Sequence, residues 1–443
     1  MDWHWRVDGW MVVAGSLCAM ACALVGNFLV LRRLSLIGDA ISHAVLPGIA
    51  AAFLWTGSRS TWSAVIGAVV VGVVTVWLTE FIRRYGRVEE SAAIGVVFTA
   101  LFALGLMMVA RADNVDLDPS CVLYGNLETI VLDNVSTPLG NIPRVALELG
   151  CIFLLNLTLV LVFHREWSLS TFDPGLALAQ GISVPFFHYL LAAMVAVTCI
   201  FAFRAVGNIL VIAMLIVPSS IAFLCCGRIW HMIAFSLISA IAVAVLGHLA
   251  AIWVPPLFGF KSANSAAMMA VASGLLLVAA VVFSPKGGLW VKSIARQRLA
   301  YRILSEDILA ILYRQTESLA ADASRRSDSK GMSHAQIAIK LDSSPSKIAS
   351  AVRDMVQRGY IAGRDEVYTL TEEGSRYAQN LIRSHRQWEQ YLSLEAGVSD
   401  PRLHLQAESF EHYTDSKMRE ELDRVIGAAP TDPHGKHIPP ESS

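Results

Sequence analysis

Residues 33–48 read Arg33-Leu34-Ser35-Leu36-Ile37-Gly38-Asp39-Ala40-Ile41-Ser42-His43-Ala44-Val45-Leu46-Pro47-Gly48. They follow a predominantly apolar run over residues 10–31, long enough to cross about 30 Å of hydrocarbon as a helix. Arg32 and Arg33 close that run, and the chain turns back into a second apolar segment that carries Asp39 and His43. Ionisable groups inside a membrane span are costly and mark functional candidates. Asp39 and His43 stand four residues apart, one turn along a single helix face. A carboxylate and an imidazole so placed suit a first-row divalent cation. Alternatively, Asp39 caps the second span and His43 satisfies a neighbouring carbonyl, and spacing alone favours this simpler reading. Pro47-Gly48 would let the helix break, as helices do at many substrate sites.

Working outward, apolar segments of spanning length recur near 10–31, 39–55, 62–82, 91–110, 145–163, 185–203, 207–225, 230–254 and 263–283. The expected fold class is therefore an all-α polytopic membrane protein of eight to nine transmembrane helices, followed by a soluble part. Short loops with Lys or Arg lie on the cytoplasmic side. Arg32 and Arg33 follow the first span, Arg83, Arg84 and Arg87 the third, and Arg165 the fifth. Arg228 follows the seventh, and Lys286 and Lys292 the ninth. Nine crossings put all of them inside, with the N-terminus outside and the soluble half in the cytoplasm. The start is mixed in charge and does not read as a cleavable signal peptide. Asp113–Asp133 is too acidic and too short in apolar content for a span, and reads as an outer, re-entrant segment.

The composition hides this division. Charged residues are 16% of the 443 and the net charge is -1, but residues 1–290 hold 14 Lys/Arg and 14 Asp/Glu while the last 153 hold 21 and 22. Disorder is excluded for the first part by its apolar content. A strongly basic nucleic-acid-binding body is unsupported, because neither part has excess positive charge. The seven cysteines, all before residue 227, form no CxxC pair, so neither a disulfide framework nor a zinc knuckle is indicated.

The residues 33–48 motif resembles the signature of the zinc/manganese/iron permease family of ABC importers. Leu123-Tyr124-Gly125-Asn126, Phe172-Asp173-Pro174 with Gly181-Ile182, and Val206-Gly207-Asn208-Ile209-Leu210 through Pro218 extend the likeness over residues 10–285. The resemblance implies a permease that pairs with a second permease subunit, as a homo- or heterodimer. It also implies a cytoplasmic ATPase subunit and delivery of metal by an extracytoplasmic binding protein. It places Asp39 and His43 on the metal path, reversing the balance that spacing alone gave. The loop 167–184 suits energy coupling: Asp173-Pro174 starts a helix and Gly181 stops it, and in the family this segment is similar to the helix that docks on the ATPase. Phe172, Asp173, Pro174 and Gly181 are its candidate coupling residues. No GxxxxGK[ST] pattern occurs, so nucleotide is expected on another polypeptide and this chain is not itself an enzyme. Glu80, His248 and Met107-Met108 read as packing residues, and His164 and His188 as side chains that snorkel.

The soluble part reads as a winged helix-turn-helix over 291–371 and a helical domain over 372–443, after a membrane domain over 1–290. A short helix 333–341, a turn at Asp342-Ser343-Ser344-Pro345, a second helix to Arg358, and a hairpin around Gly363-Arg364-Asp365-Glu366 give that order. Only Lys347, Arg353 and Arg358 are basic in the second helix, a thin footprint for phosphate, so DNA is a disfavoured partner. In the helices that follow, His385 and Glu389 are four apart, and Glu408 and His412 align at the same spacing beside Glu411. Imidazole and carboxylate donors without thiolate suit Mn, Fe or Zn, although solvated surface charge explains the spacing as well.

Thr371-Glu372-Glu373-Gly374, Ser384–Glu389, His404 through His412, and Asp432-Pro433-His434-Gly435 before Ile438-Pro439 resemble the metal-dependent repressors of the iron and manganese type, over residues 302–440. That resemblance makes His385, Glu408, Glu411 and His412 effector-metal ligands, and His404 and Glu389 ancillary ones. Asp307 matches a further ligand of the manganese branch, and Ala310 falls where that branch has a second carboxylate. The expected function is a multi-pass permease of the bacterial inner membrane that imports Mn, Zn or Fe and carries its own metal sensor, tethered for feedback. The alternatives are a membrane-anchored metal-responsive transcription regulator and a channel or secondary transporter.

Overall fold

The computed structural model describes residues 4–56, 61–110, 127–137, 140–260, 263–321, 331–364, 366–394, 400–427 and 429–441. Some side chains within helices, those of Asp39 and His43 among them, lie outside that description, as do Asp113–Asn126 and most of the linker 324–331. The chain divides into two compact units, Met1–Val291 and Lys292–Ser443.

In the first unit each of the nine apolar segments is helical. They are α1 (Asp8–Leu31), α2 (Ser35–Thr56), α3 (Thr61–Gly86), α4 (Glu90–Ala110) and α5 (Arg144–Val162), then, past the loop helices α6 (His164–Phe172) and α7 (Pro174–Ala179), α8 (Val184–Val206), α9 (Asn208–Cys225), α10 (Ile229–Leu257) and α11 (Ser265–Phe283). Seven are long and apolar enough to cross a membrane. In α2 and α9 the described apolar stretches, Leu46–Thr56 and Leu210–Cys225, are shorter. A 3-10 turn (Leu127–Leu132) and a two-stranded hairpin, β1 (Asn134–Thr137) with β2 (Gly140–Pro143), precede α5.

α1 is the hub of this unit: 72% of its span is buried, against 17% for α11. Its small residues admit close neighbours, as expected where lipid supplies no hydrophobic drive between helices. Two buried amides bond across helices: Asn27 Nδ2 donates to Ser236 Oγ at 2.7 Å, and Asn156 Nδ2 to Thr198 Oγ1 at 2.9 Å. α1 ends in a Schellman turn, with Leu34 N–H donating to Leu29 O and Arg33 N–H to Val30 O. Glycine usually takes the left-handed position of this turn; here Arg33 holds it, with φ of 60°.

Pro47-Gly48 does not break α2, which runs on to Thr56 with Pro47 inside it. Gly48 instead lets α2 touch α3: a Cβ at Gly48 would lie 2.4 Å from Gly67 O, and one at Gly67 2.2 Å from Gly48 O. Backbone-to-backbone approach, rather than a break, is what the dipeptide provides.

The second unit holds α12 (Leu289–Ala321) from Lys292 onward, then β3 (Met332–Ser333), α13 (His334–Lys340), α14 (Pro345–Gln357), β4 (Ile361–Arg364) and β5 (Val367–Leu370). Ser333 caps α13 in a reciprocal capping box with Gln336. Asp342, with φ of 44°, ends it, and Pro345 stands in the first turn of α14. The sheet order is β3-β5-β4, all antiparallel, the winged arrangement. The hairpin is tighter than expected, because Gly363 and Arg364 are paired strand residues. Gly363 faces Tyr368, whose ring would lie 2.8 Å from any Cβ placed there. Ile308, Ile337, Ile348, Val352 and Ile361 form the core under the wing. Helices α15 (Glu372–Leu394), α16 (Asp400–Glu411) and α17 (Ser416–Val425) complete the unit.

Candidate metal centre and coupling helix

Along α15 the buried positions Ala378, Leu381, Ile382, His385, Glu389 and Leu392 form one stripe at helical spacing. The stripe that begins as apolar core therefore ends in an imidazole and a carboxylate. In α16, Leu403, Ala407 and Glu411 are buried at intervals of four. The helix stops at Glu411, so His412 sits in the following turn. The expected alignment of Glu408 with His412 is lost for this reason. Glu408 lies one position off the buried stripe and is exposed, whereas His412 turns inward.

Two donor groups result, each with ligand atoms within 4.8 Å of one another: His385, Glu389 and His404, and Asp307, Glu411 and His412. In the first, His385 Nε2 is 3.2 Å from Glu389 Oε1 and 3.0 Å from His404 Nδ1, and His404 Nδ1 is 3.0 Å from Glu389 Oε1. In the second, His412 Nε2 is 3.4 Å from Asp307 Oδ1 and 3.9 Å from Glu411 Oε1. Glu411 joins them, because its Oε2 lies 2.5 Å from His385 Nδ1.

Electrostatics show how much charge this pocket gathers. Burial alone would depress the His412 imidazolium, but hydrogen bonds to Asp307 and Glu306 and the Glu411 charge push it up to about 10. Burial would likewise raise Glu389, yet the hydrogen bonds and charges of His385 and His404 hold it down to about 2. His385 is raised in the same way: burial opposes its charge and Glu389 and Glu411 outweigh it. Each of these shifts favours the charged partners, an imidazolium beside a carboxylate. Nitrogen and oxygen donors, no thiolate, and a buried setting fit a divalent first-row ion that takes the protons' place.

Two participants have no role assigned to them in the sequence reading. Glu306, 3% exposed, accepts from His412 Nδ1 at 2.7 Å, from Tyr377 Oη at 2.6 Å and from Arg302 Nε at 2.8 Å. Burial would raise its carboxyl, and these three donors together hold it below the ordinary range. Its signal was the acidic pair Glu306-Asp307. Ala310, where a second carboxylate was missing, packs instead with Leu381 and Ile382. His434 is the other: its Nε2 is 3.9 Å from Glu389 Oε1. Asp432 Oδ1 accepts from the His434 and Lys436 N–H groups and shapes that turn. Buried Arg386 holds the neighbouring chain through Glu317 and Asp432.

In the membrane unit, α2 carries Asp39 and His43 one turn apart on its backbone, with their side chains outside the described residues. His248, read as a packing residue, is buried with Nε2 3.3 Å from Asp8 Oδ1 and Nδ1 3.2 Å from Ser265 Oγ. At the loop between α5 and α8, Asp173 caps α7 by accepting from Leu176 N–H at 2.9 Å, Pro174 occupies its first turn, and Gly181, with φ of 79°, ends it. Phe172, Leu176 and Leu178 are exposed around this short helix, beside a cavity of about 400 Å³ lined by Arg165, Phe172 and Gln180. Trp167 anchors α6 from beneath, fully buried between Phe28 and Phe187.

On α14 the exposed face carries Ser346, Lys347, Ser350 and Arg353, and Arg358 is tied to Asp354 at 2.9 Å. That face offers little positive charge to a phosphate backbone.

Comparison with known proteins agrees with both halves. Residues 9–284 match the ABC 3 transport family, and residues 371–440 match the iron dependent repressor, metal binding and dimerisation domain. The chain belongs to the ABC 3 transport family, with a repressor-like domain fused at its C-terminus. It is 36% identical over 289 residues to the manganese transport system membrane protein MntD of Bacillus subtilis, covering 65% of this chain and 95% of that protein. It is 32% identical over 372 residues to the zinc transport system membrane protein TroD of Treponema pallidum, covering 83% and 97%. Among solved structures, PsaBC from Streptococcus pneumoniae in complex with Fab superposes with a TM-score of 0.52 at 27% identity, over 63% of this chain and 92% of that one.

Proposed function

We propose that this chain is the permease subunit of an ATP-binding-cassette importer for a divalent transition metal, manganese, zinc or iron, in the bacterial cytoplasmic membrane. The observation that carries the reading is the family match over 9–284, joined to relatives named for manganese and zinc transport. Asp39 and His43 of α2 contact the passing ion. A separate ATPase subunit docks on α7, whose exposed Leu176 and Leu178 are apolar side chains on a loop helix outside the spans. An extracytoplasmic binding protein delivers the metal, and a second permease subunit completes the pathway. The arginine-bearing loops and the C-terminal unit face the cytoplasm.

In the C-terminal unit, His385, Glu389 and His404 hold one effector ion and Asp307, Glu411 and His412 a second. Occupancy reports the internal metal level and restrains transport. Radiometal uptake by cells expressing the complete transporter tests the path. An Asp39→Ala/His43→Ala double variant should reduce uptake to background, and uptake equal to wild type overturns that role. Removing residues 300–443 should abolish inhibition by excess internal metal, and unchanged inhibition rejects feedback.

A further inference from the structure

A cavity of about 420 Å³ opens where α1 ends, bounded by the C-terminal turns of α3, by α6 and by the start of α8. Three arginines line it: Arg32, Arg33 and Arg83. Among the described residues its one carboxylate, Glu80, is engaged by Arg83 at 2.8 Å. Arg32 is fixed rather than mobile. Its Nε donates to Thr171 Oγ1 at 3.1 Å, its Nη2 to Ser170 Oγ at 2.8 Å, and it lies 5.5 Å over the Trp167 ring. Leu31, Leu34 and Val76 give the same cavity an apolar wall. A preformed space lined by both arginine and aliphatic side chains, in which Arg32 and Arg33 meet no carboxylate among the described residues, fits an amphiphile with an anionic head.

The height of the cavity along α3 points to the same occupant. Trp77, Phe81 and Tyr85 form an exposed ladder at intervals of four, with ring centroids 5.7 and 4.8 Å apart. Exposed Trp and Tyr gather at the headgroup level of a bilayer. The ladder spans the same turns that bear Glu80 and Arg83, so the cavity opens at headgroup depth. Basic pockets between transmembrane helices on the cytoplasmic side receive anionic lipid heads.

We infer that this cavity is a binding site for the phosphate head of an anionic phospholipid, such as phosphatidylglycerol, from the cytoplasmic leaflet. The leaflet assignment rests on the orientation proposed above; the binding site does not. The bound phosphate would bridge the end of α1 and the end of α3 beside the loop helices α6 and α7. The membrane would thereby set how firmly the ATPase-docking segment is held.

The test uses full-length protein purified in detergent and titrated with short-chain phosphatidylglycerol, short-chain phosphatidylcholine or inorganic phosphate, with binding read by calorimetry. Phosphatidylglycerol should bind saturably, phosphatidylcholine should not, and phosphate should bind more weakly than the lipid. The variant Arg33→Gln/Arg83→Gln leaves the Arg32 bonds in place and should weaken phosphatidylglycerol roughly 30-fold, at the usual increment per basic residue. Arg33→Lys/Arg83→Lys should retain most of the binding, which separates loss of charge from loss of fold. Arg228→Gln, in a loop away from the cavity, should change nothing. The proposal fails if phosphatidylcholine binds as well as phosphatidylglycerol, or if phosphate alone binds as tightly, which marks a soluble-anion site. It fails also if the Gln variant binds undiminished, or if added ATPase subunit displaces the lipid, which makes the cavity part of the docking surface. Because detergent presents both faces of the protein, reversed orientation in cells would overturn the leaflet assignment and leave the binding result standing.

Discussion

His412 Nδ1 lies 2.7 Å from Glu306 Oε2, and this contact turns the other ring nitrogen, Nε2, toward Asp307 and Glu411. A carboxylate behind an imidazole fixes its tautomer and raises its basicity at a metal site. Glu306→Gln keeps an acceptor but removes the charge, and should weaken metal binding by the C-terminal unit roughly 10–100-fold. Glu408→Gln separates two readings of α16. Unchanged affinity agrees with ligands drawn from the buried stripe, whereas a loss as large as that of Glu306→Gln means that Glu408 swings inward to bind.

A metal bound in this pocket would displace protons. His412 is pushed up to about 10 and so is charged near neutrality, and His385 is raised as well, because Glu389 and Glu411 outweigh its burial. Each proton expelled makes affinity fall about tenfold for each unit of pH lowered. Calorimetry in two buffers of different ionisation enthalpy counts the protons released at pH 7. A count of zero contradicts the arrangement.

The metal-free domain has its own pH window. The His412 contribution is complete below the ordinary imidazole value of 6.5 and is lost as pH rises through about 10. The Glu389 contribution is complete above 4.5 and is lost as pH falls through about 2. Thermal unfolding of chelator-treated protein should therefore give the C-terminal transition its highest temperature between pH 4.5 and 6.5. A transition that climbs steadily from pH 6.5 to 10 is incompatible with these pairs.

At α7, Asp173→Ala removes the acceptor for Leu176 N–H and should cost the loop helix about 1 kcal/mol. Metal uptake should drop while binding to the C-terminal unit stays unchanged. Leu178→Asp, which places a charge on the exposed apolar side, should release the ATPase in co-purification with no change in the thermal stability of the permease. Retention of the ATPase by this variant argues for another docking surface.

Gly48→Ala forces a methyl group against Gly67 O, and overpacking of this kind costs about 1–3 kcal/mol. Thermal unfolding in detergent should show that loss, and Gly67→Ala should show a similar one. Two substitutions of one shared contact should be less than additive.

Much of this was legible in the chain. Span positions follow from apolar runs bounded by Arg32-Arg33, Arg83-Arg84 and Arg228. The start and stop of α7 follow from Asp173-Pro174 and Gly181, because a cap, a fixed φ and a left-handed glycine are local chemistry. The wing follows from turn residues and alternation. Direction on a helix was less legible where the helix ended early. Spacing aligned Glu408 with His412 only if α16 continued past Glu411, and it does not. Glu306 went unread because its role depends on His412 and Tyr377, distant in sequence. Pro47-Gly48 read as a break because a sequence shows no neighbour, and the neighbour is Gly67.

The Gly48–Gly67 contact has a kinematic consequence. Two backbones that touch without intervening side chains have no rotamers to absorb a shift, so a displacement of α2 at this contact is passed directly to α3. The segment bearing Asp39 and His43 is thereby yoked to the segment bearing the aromatic ladder at the bilayer edge. Compliance is left to the other seams of the bundle.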